Sequence, residues 1–359
     1  MSELTFAVTL KITSNEGKKQ PGVSPIILCL LILLSIPLSA WADGSSKEKE
    51  NTPSLLQPDL QHEPIQPLTQ PVGLNPYKVN LGERLFHDLR LGRDNDMACS
   101  SCHDITDNGA DRHAHASGRD GTSLGINTLT VFNSSLNHHQ FWDGRVRSQE
   151  KQIDVVIANV KKFATTWPVI IGKLKQDKDY IRHFTELYPD GITADNIRDA
   201  IVAFVRNLVT VNSPFDRFLL GDADAIDSEA KAGYQLFKTY GCVACHQGSN
   251  VGGNLFIKLG VFKDYFAARG NPSRADLGRF NVTGKERDRH VFRVPSLRLA
   301  ALTPPYFHDG SVATLAEAVS IMAEHQLGRT IPGQDILCIV AFLESLPGEY
   351  RGQRLGHKS

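Results

Sequence analysis

The chain has 359 residues, enough for two ordinary domains, because single hydrophobic cores stop growing at roughly 250–300 residues. Lysine plus arginine equals aspartate plus glutamate at 39 each, which excludes the global basic excess of a nucleic-acid binder or an anionic-membrane binder. Hydrophobic residues at 41% and charged residues at 22% describe a folded chain and exclude disorder over most of its length.

Lys18 and Lys19 precede an apolar run from Ile26 to Leu34, then Pro37 and Ala40-Trp41-Ala42. Charge, a short apolar stretch and small residues spaced by one form a secretory signal, so residues 1–42 are expected to be a signal peptide cleaved after Ala42, with an uncleaved anchor as the alternative. Residues 43–76 carry Pro53, Pro58, Pro64, Pro67, Pro71 and Pro76 without a hydrophobic period, and read as a flexible linker. From Tyr77 onward the period is helical. Leu81, Leu85 and Phe86 share one face, as do Ile197, Ile201, Phe204, Val205 and Leu208, and no sustained strand alternation is present. The polar stretch Gly221–Ser228 separates two helical regions and marks a boundary between domains over 77–222 and 223–350, with a tail at 351–359. The last helix, Gln334 to Leu346, stops before Pro347-Gly348.

Of six cysteines, Cys29 lies in the leader and Cys338 stands alone on an apolar helix, as a buried structural thiol would. The other four sit in Cys99-Ser100-Ser101-Cys102-His103 and Cys242-Val243-Ala244-Cys245-His246, each a c-type heme attachment motif. The two thiols add to the porphyrin vinyl groups and the adjacent histidine donates a ring nitrogen to iron. Zinc held by the two cysteine pairs would leave both histidines unexplained, and a redox dithiol wants a βαβ setting that is missing.

What fills the sixth position on iron decides whether a heme carries electrons or binds a substrate. Beyond Met1 there are only Met97, two residues before a heme cysteine, and Met322, far enough downstream of His246 to wrap to the other face of the second heme. At most one heme therefore has an axial methionine. For the first heme, His113, His115, His138 and His139 are candidates, although histidines in polar stretches are more often solvated surface residues than ligands. One closed, methionine-ligated heme beside one open heme is the arrangement expected of an enzyme that collects electrons at one centre and uses them at another.

Several further motifs, in order, resemble the bacterial di-heme cytochrome c peroxidases and their MauG-type relatives, from about Tyr77 to Pro347. They are Asn127-Thr128-Leu129-Thr130-Val131-Phe132-Asn133, Gln140-Phe141-Trp142-Asp143-Gly144-Arg145, Phe292-Arg293-Val294-Pro295-Ser296-Leu297-Arg298, Pro305-Tyr306-Phe307-His308-Asp309-Gly310, and Ala318 to Met322 leading to Gln326-Leu327-Gly328. The resemblance implies an all-α chain of two class I cytochrome c-like heme domains. It implies heme c at both motifs, with His103 the proximal ligand of the peroxide-reducing N-terminal heme and His246 with Met322 ligating the electron-accepting C-terminal heme. Trp142 matches a tryptophan between the hemes that relays electrons, although core packing is its other reading. Gln152 matches a distal-pocket glutamine and His308 a residue near the heme interface. Asn127, Thr303 and Pro305 match the ligands of a calcium ion between the domains. The expected setting is the periplasm, the expected partners are hydrogen peroxide and a small c-type cytochrome or copper protein as donor, and a homodimer is possible.

Two positions depart from the family. Where it places a glutamate that moves a proton between peroxide oxygens, this chain has Lys162 beside Lys161; Glu150 or Asp154 would be the substitute base. Where some relatives place a histidine that caps the first heme, in Ala116-Ser117-Gly118-Arg119, it has Arg119, which leaves that heme open or capped by His113 or His115. Three functions are consistent with this set: reduction of hydrogen peroxide to water, a MauG-like oxidation of another substrate, and non-enzymatic electron carriage. Met322 speaks against the second, whose members often carry tyrosine there; six-coordinate hemes indifferent to peroxide would mark the third.

Overall fold

A computed structural model of the chain describes residues 60–356. The signal peptide at 1–42, the start of the linker and residues 357–359 lie outside the described residues. The described elements run, in chain order, α1 (Pro76–Phe86), α2 (Gln149–Ala158), α3 (Trp167–Leu174), α4 (Lys178–Leu187), α5 (Ala194–Asn207), α6 (Pro214–Leu219), α7 (Ser228–Thr239), β1 (Phe256–Lys258), α8 (Tyr265–Arg269), α9 (Phe280–Thr283), β2 (Val291–Arg293), α10 (Leu315–Ile321), α11 (Gly333–Glu344), β3 (Glu349–Tyr350) and β4 (Gln353–Arg354). The strands form two antiparallel pairs, β1 with β2 and β3 with β4, so the fold is mostly helical.

Two helix crossings organise the packing, and they are built alike. Asn75 caps α1 by accepting from the Tyr77 N–H, and Pro76 fits the first turn, where no amide partner is needed. Leu81 and Leu85 of α1 then bury against Ile197, Ile201 and Phe204 of α5. Asp227 caps α7 through the Ala230 N–H at 2.8 Å, and Tyr234 and Phe237 bury against Ile339 and Phe342 of α11. Each fully buried side chain of this size contributes about 1.5–3 kcal/mol. At each crossing a glycine lets the helices touch backbone to side. A Cβ on Gly82 would lie 1.9 Å from the Ala200 carbonyl oxygen, and one on Gly233 would lie 1.8 Å from that of Cys338. Cys338 thus serves the crossing through its backbone, and its thiol is half-buried.

The linker expectation needs correction over its described part. Ile65 is fully buried in the second core with α7 and α11, Pro64 accepts from the Gly248 N–H, and Gln66 accepts from Arg298. Leu60 packs on the same core and Leu68 is also buried, apolar side chains that the surrounding prolines had hidden. The tail at 351–359 is likewise docked where it is described: Leu355 and, before it, Tyr350 bury in the first core, together with Leu299. Among the described residues, Leu60 and Ile65 before α1 therefore pack on the second core and Tyr350 and Leu355 after α11 on the first, which ties the two cores together.

Candidate functional site

Both cysteine motifs adopt the same backbone. Cys99–Ser101 and Cys242–Ala244 each form a single 3-10 turn. The Cys102 and Cys245 N–H groups bond back to Cys99 and Cys242 at 3.2 Å, and those of His103 and His246 bond to the same carbonyls at 3.1 and 3.0 Å. A turn of this pitch brings both thiols and the histidine of each motif to one side.

Each motif opens on its own large cavity. The first, of about 1460 Å³ partly open to solvent, is lined by Cys99, Cys102 and His103; the second, of about 1640 Å³, by Cys242, Cys245 and His246. Both are lined largely by apolar side chains, which suits the flat apolar face of a macrocycle. The two cysteine pairs line different cavities, so no single zinc ion unites them. Burial pushes the Cys99 thiol up to about 12 and Cys242 up to about 11, and raises Cys102 and Cys245 as well. Uncharged thiols in an apolar cavity suit addition to vinyl groups and suit a dication poorly.

The histidines are prepared as ligands. His103 Nδ1 lies 3.0 Å from the Gly109 carbonyl and His246 Nδ1 lies 3.4 Å from that of Val251. A carbonyl only accepts, so each Nδ1 carries the proton and each Nε2 keeps its lone pair. Burial lowers the pKa of both rings, His246 to about 4, which holds them neutral. The residues present therefore fit a covalently held heme in each cavity.

One wall is common to both cavities. Asn127, Thr128, Leu129, Thr130, Trp142 and Arg293 line each of them. The Trp142 indole N–H donates to the Asn127 carbonyl at 3.0 Å. Arg293 is buried and bonds to neutral oxygens, those of Phe141, Asn137 and Val294, and burial lowers its pKa to about 10. A buried guanidinium beside both cavities suits the carboxylate-bearing edge of a porphyrin.

A second internal repeat, not recognised in the sequence, surrounds this wall. Phe141-Trp142-Asp143-Gly144 and Phe307-His308-Asp309-Gly310 form matching turns, closed by antiparallel bridges Gln140 to Val146 and Tyr306 to Val312. Phe141 and Phe307 have φ of 70° and 68°, and Gly144 and Gly310 have 62° and 58°. The common string Phe-Xaa-Asp-Gly-Xaa-Val was the available signal. His308 is buried, and its Nε2 donates to Asp276 at 2.6 Å. Arg269 pairs with both Asp276 and Asp309, so a guanidinium supplies the cation among these carboxylates.

The remaining expected residues divide clearly. Met322 begins a π-helical turn, Met322–Gln326, and lines the second cavity with His246 and His308. Asn127, Thr303 and Pro305 line that cavity together. Gln152 of α2 lines the first cavity, as do Met97 and Lys162. His113, His115, His138 and His139 line neither: His115 bonds to Ser123 and His139 packs on Phe256. Arg119 is engaged with Asp94 and Asp96. Glu150 faces Arg206 at 3.8 Å, and Asp154 accepts from Arg198 and Trp167, so neither substitute base reaches the first cavity.

Residues 76–224 match the family described as "Di-haem cytochrome c peroxidase". A cytochrome c peroxidase of Escherichia coli (strain K12) is 43% identical over 82% of this chain, which spans 63% of that relative's length. The cytochrome c551 peroxidase of Nitrosomonas europaea is 42% identical over 80% of this chain and 85% of its own length. A crystal structure of a MauG-like protein associated with microbial copper homeostasis superposes with a TM-score of 0.69 at 26% identity, covering 79% of this chain and 93% of that one. Among the described residues, no helix is long and apolar enough to cross a membrane.

Proposed function

The chain belongs to the di-heme cytochrome c peroxidase family and is a peroxidase-type oxidoreductase, and from that premise we propose that it reduces hydrogen peroxide to water in the periplasm. A small c-type cytochrome or copper protein supplies two electrons, which enter at the heme of Cys242, Cys245 and His246 and are used at that of Cys99, Cys102 and His103. Peroxide, two electrons and two protons give two waters. The observation that carries this direction is the asymmetry of the cavities: Met322 lines the second, whereas the polar side chains of Gln152 and Lys162 line the first.

When bound, the two hemes supply redox-active iron. The chain's own residues do the rest. His103 and His246 each present an Nε2 lone pair on a ring oriented by a backbone carbonyl. Met322 supplies a thioether, the type of ligand that raises potential and favours accepting electrons. Trp142 provides an aromatic ring in the wall between the cavities, held by Asn127. Gln152 orients substrate by hydrogen bonds in the first cavity. The two halves, 77–222 and 223–350, act as cytochrome c-like domains, a reading supported by the paired glycine crossings and the repeated cysteine turn. Calcium held by Asn127, Thr303 and Pro305 is supported by their common place on one cavity wall.

The test uses the exported protein, half-reduced so that only the second heme carries an electron, mixed with stoichiometric peroxide and an excess of donor cytochrome. Repeated consumption of peroxide coupled to donor oxidation is the expected result. Two hemes unaltered by peroxide would leave an electron carrier instead.

A further inference from the structure

Lys162 enters the first cavity from a fixed seat. Its own N–H bonds to Asn159, the Lys161 carbonyl accepts from the Arg119 N–H at 2.9 Å, and the Phe163 carbonyl accepts from the Arg93 N–H at 2.9 Å. The side chain is half-buried and lines the cavity with Cys102 and His103, near enough that its charge bears on both. Arg145 and Asp111 are the other charges it feels, and they oppose each other. No hydrogen bond or ion pair ties its ammonium to a carboxylate among the described residues. Burial lowers its pKa, in the direction of the neutral amine.

The other side chains that the sequence offered for the sixth position on the first iron are poorly placed or poorly suited. None of His113, His115, His138 and His139 lines this cavity. Arg119, in the loop where relatives carry a capping histidine, is engaged with Asp94 and Asp96, and a guanidinium has no lone pair to give. Met97 stands two residues before Cys99, on the cysteine side of the site. Gln152 offers an amide, a weak donor to iron.

We propose that the amine of Lys162 is the sixth ligand of the first heme iron in the resting ferric protein, across the ring from His103. Its ammonium gives one proton to solvent, its lone pair forms the iron–nitrogen bond, and a water leaves the iron. The lysine that replaces the family's glutamate thereby also replaces the missing capping histidine, and it must detach before peroxide binds. This deepens the reading of the first heme as the peroxide-reducing one and rests on a heme being attached at Cys99 and Cys102.

The test is electron paramagnetic resonance of the ferric holoprotein, with heme content measured in parallel, on the wild type and on Lys162→Gln and Lys162→Arg. The wild type is expected to show both hemes low-spin. Each variant is expected to keep both hemes and to convert one to high-spin, arginine included, because it preserves charge and length without a lone pair. A wild-type protein with one high-spin heme, or a low-spin heme that survives both substitutions, overturns the proposal. Turnover with peroxide is recorded separately, so ligation by Lys162 stands or falls independently of whether peroxide is the substrate.

Discussion

Trp142 and His308 meet edge to face, ring centroids 6.3 Å apart and planes at 73°, each from the equivalent position of a repeated turn. Asp276 orients the histidine and Asn127 the tryptophan, so both rings are fixed by a single polar contact. The pair stands on the wall of the second cavity, and Trp142 faces the first as well.

Trp142→Phe keeps an aromatic ring and leaves the Asn127 carbonyl without its donor, a loss of about 1 kcal/mol in stability. If the indole relays electrons, oxidation of the second heme after peroxide addition becomes several-fold slower at unchanged heme content. Stopped-flow absorbance would record this; an unchanged rate assigns Trp142 to packing alone.

Gly82→Ala and Gly233→Ala set two effects against each other. Helix propensity favours alanine by about 1 kcal/mol, whereas the new methyl would sit 1.9 or 1.8 Å from a carbonyl oxygen of the facing helix. Overpacking on this scale costs about 1–3 kcal/mol and is relieved only by separating the helices, so both variants should melt earlier. Equal or higher melting temperatures would mean that the crossings are looser than they are here.

Arg298 and Asp216 form an ion pair at 2.7 Å, with side chains 0% and 2% exposed. Arg298 also donates to the carbonyls of Ser249 and Gln66. Asp216→Ala strands a buried guanidinium and is expected to cost about 3–5 kcal/mol. Because Gln66 belongs to the arm seated on the second core, the same variant should be cleaved faster by protease within residues 60–75. A loss below 1 kcal/mol with unchanged cleavage would contradict this.

Acid should destabilise the protein through the buried Asp276–His308 pair. Burial alone would raise the Asp276 pKa, but Arg269, the Ser273 N–H and His308 outweigh it and bring the value from 3.8 down to about 2. A depressed carboxylate stabilises the fold above its unfolded pKa and loses that contribution as pH falls from near 3.8 to 2, at most about 2 kcal/mol. Burial also lowers the His308 pKa below 6.5, so the unfolded state takes up its proton first and stability already declines as pH drops below that value. Melting temperature against pH should fall in both ranges, and Asp276→Asn should make the lower fall shallower, because Asp88 and Asp199 are depressed too and keep part of it.

The two cysteine motifs and the helical character were readable because each rests on local spacing. The helical faces of α1 and α5 were readable for the same reason, since a 3.6-residue period shows directly in Leu81, Leu85, Ile197 and Ile201. The arm at 60–75 was misread because Pro64 and Pro67 signal an extended chain without saying whether the one isoleucine between them finds a pocket. Glu150 and Asp154 looked like substitute bases by proximity in sequence, yet α2 turns them toward Arg206 and Arg198.

By itself the sequence determined that the Cys-Xaa-Xaa-Cys-His motif occurs twice and that Met97 and Met322 are the methionines beyond Met1. Those properties are local, carried by residues within a single turn or by composition. Only the tertiary structure decided that the two cysteine pairs open on separate cavities, that Asn127 to Thr130, Trp142 and Arg293 line both, and that Lys162 lines the first whereas His113, His115, His138 and His139 do not. These are matters of which side chains a folded backbone turns inward, and residues as far apart as Trp142 and His308 acquire that relation only when the two cores pack.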